Sequence, residues 1–276
     1  MATFAAAVPL CARAASNQLT PVTLQLHYTT GAIHRYQTAL TITAKQHGSV
    51  KPIVSISEAL LQQETVTKVL QNGDGIIKVQ TLSGQGIADG KSFVPSTERS
   101  ASLLQFSPQG EFVKALKLPA ADNHVPAIGR LLGEGILSSH GVFLPNHAVH
   151  VGSSWTRQFN MRVNGRESKS VVFSRLVGFQ RVGLYDTGHV HAVLSAPLAF
   201  NITNGQGKGA RVQHVRGLVK IVYDVNVALS RGIVVRMAAY GKLWMKFVQQ
   251  HPSRNQKIST PTAIVLTIQL GSDMVD

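Results

Sequence analysis

The 276 residues carry 27 Lys and Arg against 13 Asp and Glu, a formal net charge of +14, with 44% hydrophobic and only 14% charged side chains. That balance excludes a disordered chain; no apolar run approaches the ~20 residues of a bilayer-spanning helix, and the single cysteine, Cys11, excludes a disulfide framework or a multi-cysteine zinc site. The charge is lopsided, with 11 Lys/Arg against 8 Asp/Glu in residues 1–138 but 16 against 5 in residues 139–276, which points to an anionic partner: phospholipid headgroups, a cell-wall polymer or nucleic acid.

Residues 1–18 read as a leader. "MATFAAAVPLCARAAS" has a short apolar stretch and then Ala12-Arg13-Ala14, a small-x-small pattern like the end of a secretory signal. Export to the periplasm, envelope or exterior is the expectation. The basic start of such a signal is missing, which leaves a cytoplasmic location open.

Beyond the leader, period-2 alternation dominates. In "PVTLQLHYTTG" the alternation predicts a first strand with Val22, Leu24, Leu26 and Tyr28 on one face, and Tyr36, Leu40 and Ile42 continue on a second. "SEALLQQE" (57–64) has helical propensity beside strand-like neighbours and reads equally as helix or strand. "QNGDG" (71–75) is a hairpin signal, because Asn-Gly and Asp-Gly tolerate the positive φ of tight turns. "SPQG" (107–110) marks another turn.

"PAADNHVPAIGRLLGEGIL" (119–137) predicts a helix with Ile128, Leu131, Leu132 and Ile136 on one stripe. Its three glycines each cost ~1 kcal/mol relative to alanine, so it needs a surface to pack on. The following "FLPNHAVHVGSSWTRQF" (143–159) is expected to be a structural seam between two similar halves. Pro145 breaks what precedes it, Val149 and Val151 re-enter the sheet, Gly152 turns the chain and Trp155 opens a strand. "NG" (164–165), "YDTG" (185–188) and "SRG" (230–232) then punctuate a run of hairpins. Val219, Ile221, Tyr223, Val225 and Val227 share one face of a strand, with Lys220, Asp224 and Asn226 opposite. Ile233, Met237, Leu243, Met245 and Phe247 share one face of its long return strand, which is expected to bend at Gly241. "TAIVLTIQL" closes the chain.

The fold expected is mainly β: a large curved antiparallel sheet, half-barrel or open sandwich, with one or two short helices on its concave face and a weak internal two-fold repeat. Residues 19–276 form one β domain of two similar halves, about 19–138 and 139–276. The motifs Tyr28, Gly31 and Tyr36, then Leu144, Pro145, Val149, Val151, Gly152, Ser154 and Trp155, then Gly232, Ile233 and Val234 resemble a largely uncharacterised group of bacterial exported β-proteins. That group is similar to curved half-barrels of the lipoprotein-carrier type. The resemblance implies a sheet wrapped around a helix, an apolar cleft for acyl chains and no catalytic residues.

Candidate chemistry is sparse. His147 and His150 with His140, or His189 and His191 at i and i+2, have metal-ligand chemistry, but no Asp, Glu or Cys accompanies them at ligand spacing. No metal or cofactor is expected. There is no G-x-S-x-G elbow, nothing nominates a carboxylate pair, and "NGQGKGAR" (204–211) lacks phosphate-loop spacing, so no enzyme is expected. Two constellations remain. Arg236, Tyr240, Lys242, Trp244 and Lys246 share the polar face of the long strand, and Arg211, Arg216 and Lys220 extend it, as a face for an anionic partner. Ile128, Leu131, Leu132 and Ile136 with Met237, Leu243, Met245 and Phe247 would line an apolar cleft. The function expected is a non-enzymatic binding protein of the cell envelope, holding a lipid or lipidated partner with its basic flank toward an anionic membrane surface or cell-wall polymer. The alternatives are a β module with a filled core docking on an anionic polymer, or a nucleic-acid-binding module.

Overall fold

A computed structural model describes residues 20–94, 101–117, 143–163, 166–204, 211–249 and 262–275. The leader, the expected helix over 119–137 with Ile128, Leu131, Leu132 and Ile136, and most of the 204–211 loop lie outside the described residues. Among the described residues there is no helix, so the helical lining of the concave face is not part of the architecture seen. The described strands are β1 (Ile33–Gln46), β2 (Val54–Val69), β3 (Gly75–Ala88), β4 (Lys91–Phe93), β5 (Ser102–Phe106), β6 (Phe112–Lys117), β7 (Ser154–Val163), β8 (Arg166–Val182), β9 (Tyr185–Asn204), β10 (Arg211–Ala228), β11 (Ile233–Gln249) and β12 (Thr262–Val275).

All pair antiparallel in one sheet of order β6-β5-β3-β2-β1-β12-β11-β10-β9-β8-β7, with β4 beside β3. The first and last strands meet at the centre, where Leu40 faces Leu270 and Ile42 faces Ile268. Both halves of the chain therefore belong to one sheet, which is open between β6 and β7.

The sheet curls at one end. Leu26 N donates to Pro108 O at 2.6 Å, and the next amide, His27 N, donates to Gly232 O at 2.8 Å. Consecutive residues are ~3.8 Å apart, so the two carbonyls lie within about 10 Å of each other. Pro108 leaves β5 and Gly232 enters β11, strands five ladder steps apart, or about 24 Å in a flat sheet at ~4.8 Å per step. Only a curved sheet brings these turns together.

Alternation fixes which face is inside. Val219, Ile221, Tyr223, Val225 and Val227 on β10, Met237, Ala239, Leu243 and Met245 on β11, and Leu266 and Ile268 on β12 are buried, as the period-2 pattern predicts. Phe247 is partly buried on that same side, but Ile233, expected there too, is not. A bulge at Asn226/Val227 changes the parity and pairs Ile233 with Ala228, so that it is buried in a separate cluster with Ala228 and Val235. The inner face thus carries the apolar residues of strands far apart in sequence.

The structure settles one open reading and changes others. "SEALLQQE" is strand, within β2, because Ile56 opposite Ile42 buries apolar surface that outweighs helix propensity of a few tenths of a kcal/mol per residue. Residues 20–30 form an arm rather than a strand; their one bridge is Val22 with Val149. Leu24 is buried in the core, so the alternation gives the side-chain direction, while the amides serve turn carbonyls. The β8–β9 turn falls at Gly183, with φ +58°, and "YDTG" belongs to β9. The β10–β11 register runs unbroken through Gly241, and the irregularity between the two strands sits at Asn226/Val227. Asn226 stays on the face it shares with Arg236 and His189, where it is buried and its Oδ1 accepts from Gln180 and Thr187.

Candidate functional site

The two-histidine segment at 143–159 serves packing. Trp155 Nε1 donates to Phe143 O at 2.6 Å, and Phe143 stacks on Phe159 with centroids 5.2 Å apart. Gly152 takes the left-handed conformation, φ +92°, that lets the chain turn into β7. His147 bonds Asn146 and His150 bonds Ser153, both exposed, so neither histidine converges on a common point.

Inside the sheet, under the arm, Tyr28, His34, Tyr36 and Glu64 surround a cavity of about 50 Å³ with Met237 and Ser272. Tyr36 donates its hydroxyl to Val234 O at 3.0 Å and Tyr28 to Ser107 O at 3.0 Å. Burial pushes both phenols well above their ordinary range, and nearby Glu64 adds to it. Burial pulls the His34 imidazole below its usual value, an effect that Glu64 opposes. The cavity is far below the roughly 300–1,000 Å³ of a small-molecule site, so these groups stabilise the interior. Of the expected cleft residues, Met237, Leu243 and Met245 are buried in the main core with Phe247 packed against them.

The outer face is different. Cross-strand register places Arg216 directly opposite Lys246, and Lys220 directly opposite Lys242. Like charges so paired destabilise a sheet, and their other neighbours offer no relief. On the β9 side Arg216 meets Ala199 and Lys220 meets Ser195. On the β12 side Lys242 meets Thr267 and Lys246 meets Ala263. Among the described residues none of these four cations forms an ion pair. Arg236, by contrast, is tied to Asp273 at 2.5 Å, which removes it from the patch of unpaired charge. Arg211 begins β10, but its side chain lies outside the described residues.

One apolar row runs between the cationic rows and another flanks them. Leu218 faces Trp244, which faces Val265; Val222 faces Tyr240. Leu218 and Trp244 are 42% and 40% exposed. Lys242 Nζ stands 5.6 Å from the Tyr240 ring centroid, a cation–π distance. A groove of about 420 Å³, lined by Arg216, Leu218, Trp244, Lys246, Val265 and His47 among others, opens at this end of the face.

A third cluster borders the patch. His189 Nε2 and His191 Nδ1 each donate to Asp224 Oδ1 at 3.0 Å. Partial burial of Asp224 pushes its carboxyl up, but the two histidine hydrogen bonds prevail and hold it below its ordinary value. The acidic partner absent from the sequence around His189 and His191 thus comes from β10, where Asp224 stands opposite His191. Among the described residues no group of three or more His, Cys, Asp or Glu is arranged to hold a metal.

No known family model matches the chain, and no curated protein matches it in sequence. Sequence reasoning missed Lys45 and His47, which join the basic face only through the β1–β12 pairing of Lys45 with Val265. It also missed the exposed row of Val171 and Phe173 on β8. The signal was present in the alternating "SVVFSRLVGF", whose second face is apolar too.

Proposed function

We propose that the protein is a non-enzymatic binding module with a filled β core, which docks on an anionic partner through the outer face of β10, β11 and β12. The observation that carries this reading is the register of Arg216 against Lys246 and Lys220 against Lys242. Four cations held in facing pairs without acidic neighbours cost stability, and an anionic ligand offsets that cost. The filled-core form is favoured over an acyl cleft because Met237, Leu243 and Met245 already pack against core neighbours and the space beneath the arm is only about 50 Å³.

We place the protein at the cell envelope, on the strength of the leader-like residues 1–18. Sequencing the N-terminus of protein recovered from fractionated cells tests that placement; an uncleaved chain in the cytoplasmic fraction overturns it. The docking face is tested with heparin as a soluble polyanion. Binding is expected at low ionic strength and should fall steeply with salt. The double variant Lys220→Glu, Lys246→Glu should abolish it, while Lys114→Glu, Lys117→Glu on β6, with the same charge change, should retain most of it. Equal losses in both variants would reduce the effect to net charge and sink the proposal.

A further inference from the structure

The anionic-partner reading leaves the apolar rows without a purpose. Across the outer face four rows alternate. Phe173, Val193, Val222 and Tyr240 form one, then Lys220 and Lys242, then Pro197, Leu218, Trp244 and Val265, then Arg216 and Lys246. Successive rows are two residues apart along the strands, so ~7 Å separates them and the whole patch spans about 20 Å. Phe173 is 49% exposed at its edge.

A soluble polyanion engages the cations and leaves these side chains in water. Single-stranded nucleic acid stacks on Tyr240 and Trp244 but has no use for Leu218, Val193, Val222 and Val265, because stacking needs a π face. A second copy of the chain brings its own basic rows against these. An interfacial lipid layer accepts every element. Tryptophan and tyrosine settle at headgroup depth, leucine, valine and phenylalanine reach the acyl boundary, and lysines lay their stems along apolar surface while their ammonium groups reach phosphate. We propose that this face is a peripheral docking surface for an anionic phospholipid bilayer, with Trp244 and Leu218 entering the interface between the two cationic rows. The proposal rests on the anionic-partner reading and names its partner.

Each basic residue at an anionic leaflet contributes roughly fivefold in affinity, and the apolar rows add a component that salt does not screen. The experiment uses the full chain, phosphatidylcholine vesicles with and without phosphatidylglycerol, and heparin alongside. Trp155 is buried, 8% exposed, whereas Trp244 is not, so a fluorescence change on vesicle binding reports Trp244. Phosphatidylglycerol vesicles are expected to bind, to shift the emission to the blue, and to quench it when their acyl chains carry bromine. Trp244→Phe should abolish the spectral response while the fold persists. Leu218→Ser with Trp244→Ala should lower vesicle affinity at least tenfold and leave heparin binding within about twofold. Heparin binding without vesicle binding or acyl-chain quenching overturns the bilayer and leaves the anionic-partner reading standing. Loss of both at low salt removes both. Self-association through this face, abolished by Trp244→Ala and unaccompanied by vesicle binding, would assign it to a second copy instead.

Discussion

Arg157 on β7 meets Glu111, just ahead of β6, at 2.9 Å, so an ion pair spans the gap where the sheet lacks a ladder. Arg157 also donates to Leu144 O at 3.4 Å, and Leu144 N donates to Gln109 O at 2.9 Å, so Leu144 is fastened at the same point. Both side chains are about three-quarters buried, which places the pair at the upper end of the surface range, about 1 kcal/mol. A double-mutant cycle with Glu111→Gln and Arg157→Gln, followed by urea denaturation, should give a coupling energy of that size. Zero coupling would show that the ion pair adds nothing to the backbone hydrogen bonds around the gap.

Gly217 makes a sharper prediction. A Cβ at this position would stand 2.0 Å from Trp244 O and 3.2 Å from Met245 Cα, both backbone atoms that cannot swing aside. Gly217→Ala should therefore cost about 3 kcal/mol, the upper end of the usual cost of overpacking a core, because neither backbone atom can move aside. Gly271, where an added Cβ would meet nothing within 4 Å, is the control; Gly271→Ala should change the midpoint little. Similar midpoints for the two variants would refute the close approach of β10 and β11.

Much of this architecture was legible in the sequence because alternation is a local property. The burial of Val219 to Val227 and of Met237 to Met245 follows from parity, and the turns at Gly73, Gly110 and Gly232 follow from residues that tolerate positive φ, found at +86°, +78° and +58°. What was not legible depends on pairing between distant segments. The arm alternates like a strand, yet its amides go to Pro108 and Gly232, which nothing local specifies. The docking face was half legible: parity puts Lys242, Trp244 and Lys246 together, but only the register shows that each lysine faces another cation. The His189–Asp224–His191 cluster was invisible for the same reason.

The arm itself should be separable from the sheet. Gly232 has φ +58°, and a Cβ there would meet Gln25 O at 2.6 Å and His27 N at 2.7 Å. Gly232→Ala should detach the arm before it unfolds the core. Hydrogen exchange read residue by residue should then accelerate at Val22, Leu26, His27 and Val149 while Val219 and Val225 stay protected. Uniform acceleration would mean that the arm and sheet unfold as one unit.

Glu58 provides a pH test. It lies on the inner face opposite Leu40, and burial raises its carboxyl above the ordinary glutamate value. With the folded pKa above the unfolded one, the native state binds the proton more tightly, so stability falls as pH rises from the unfolded pKa through the folded pKa. Glu58→Gln should raise the thermal midpoint at neutral pH and lose its advantage as the medium becomes acidic enough to protonate Glu58 in both states. An advantage independent of pH would show that desolvation of the carboxylate is not the cause.

The facing cations predict a trade between stability and binding. Lys242→Glu puts a carboxylate opposite Lys220, converting a repulsive cross-strand pair into an attractive one. Pairs of this kind contribute roughly 0.2–1 kcal/mol, and like charges oppose by a similar amount. The variant should therefore be more stable than the parent, by up to about 1–2 kcal/mol at low ionic strength and less in high salt. Its affinity for heparin or anionic vesicles should fall, because one row of the face now cancels itself. Thermal denaturation and vesicle sedimentation on the same preparation measure both. A stable variant that binds as well as the parent would show that the Lys220–Lys242 row has no part in docking. A destabilised one would show that the two lysines are kept apart by something other than their register.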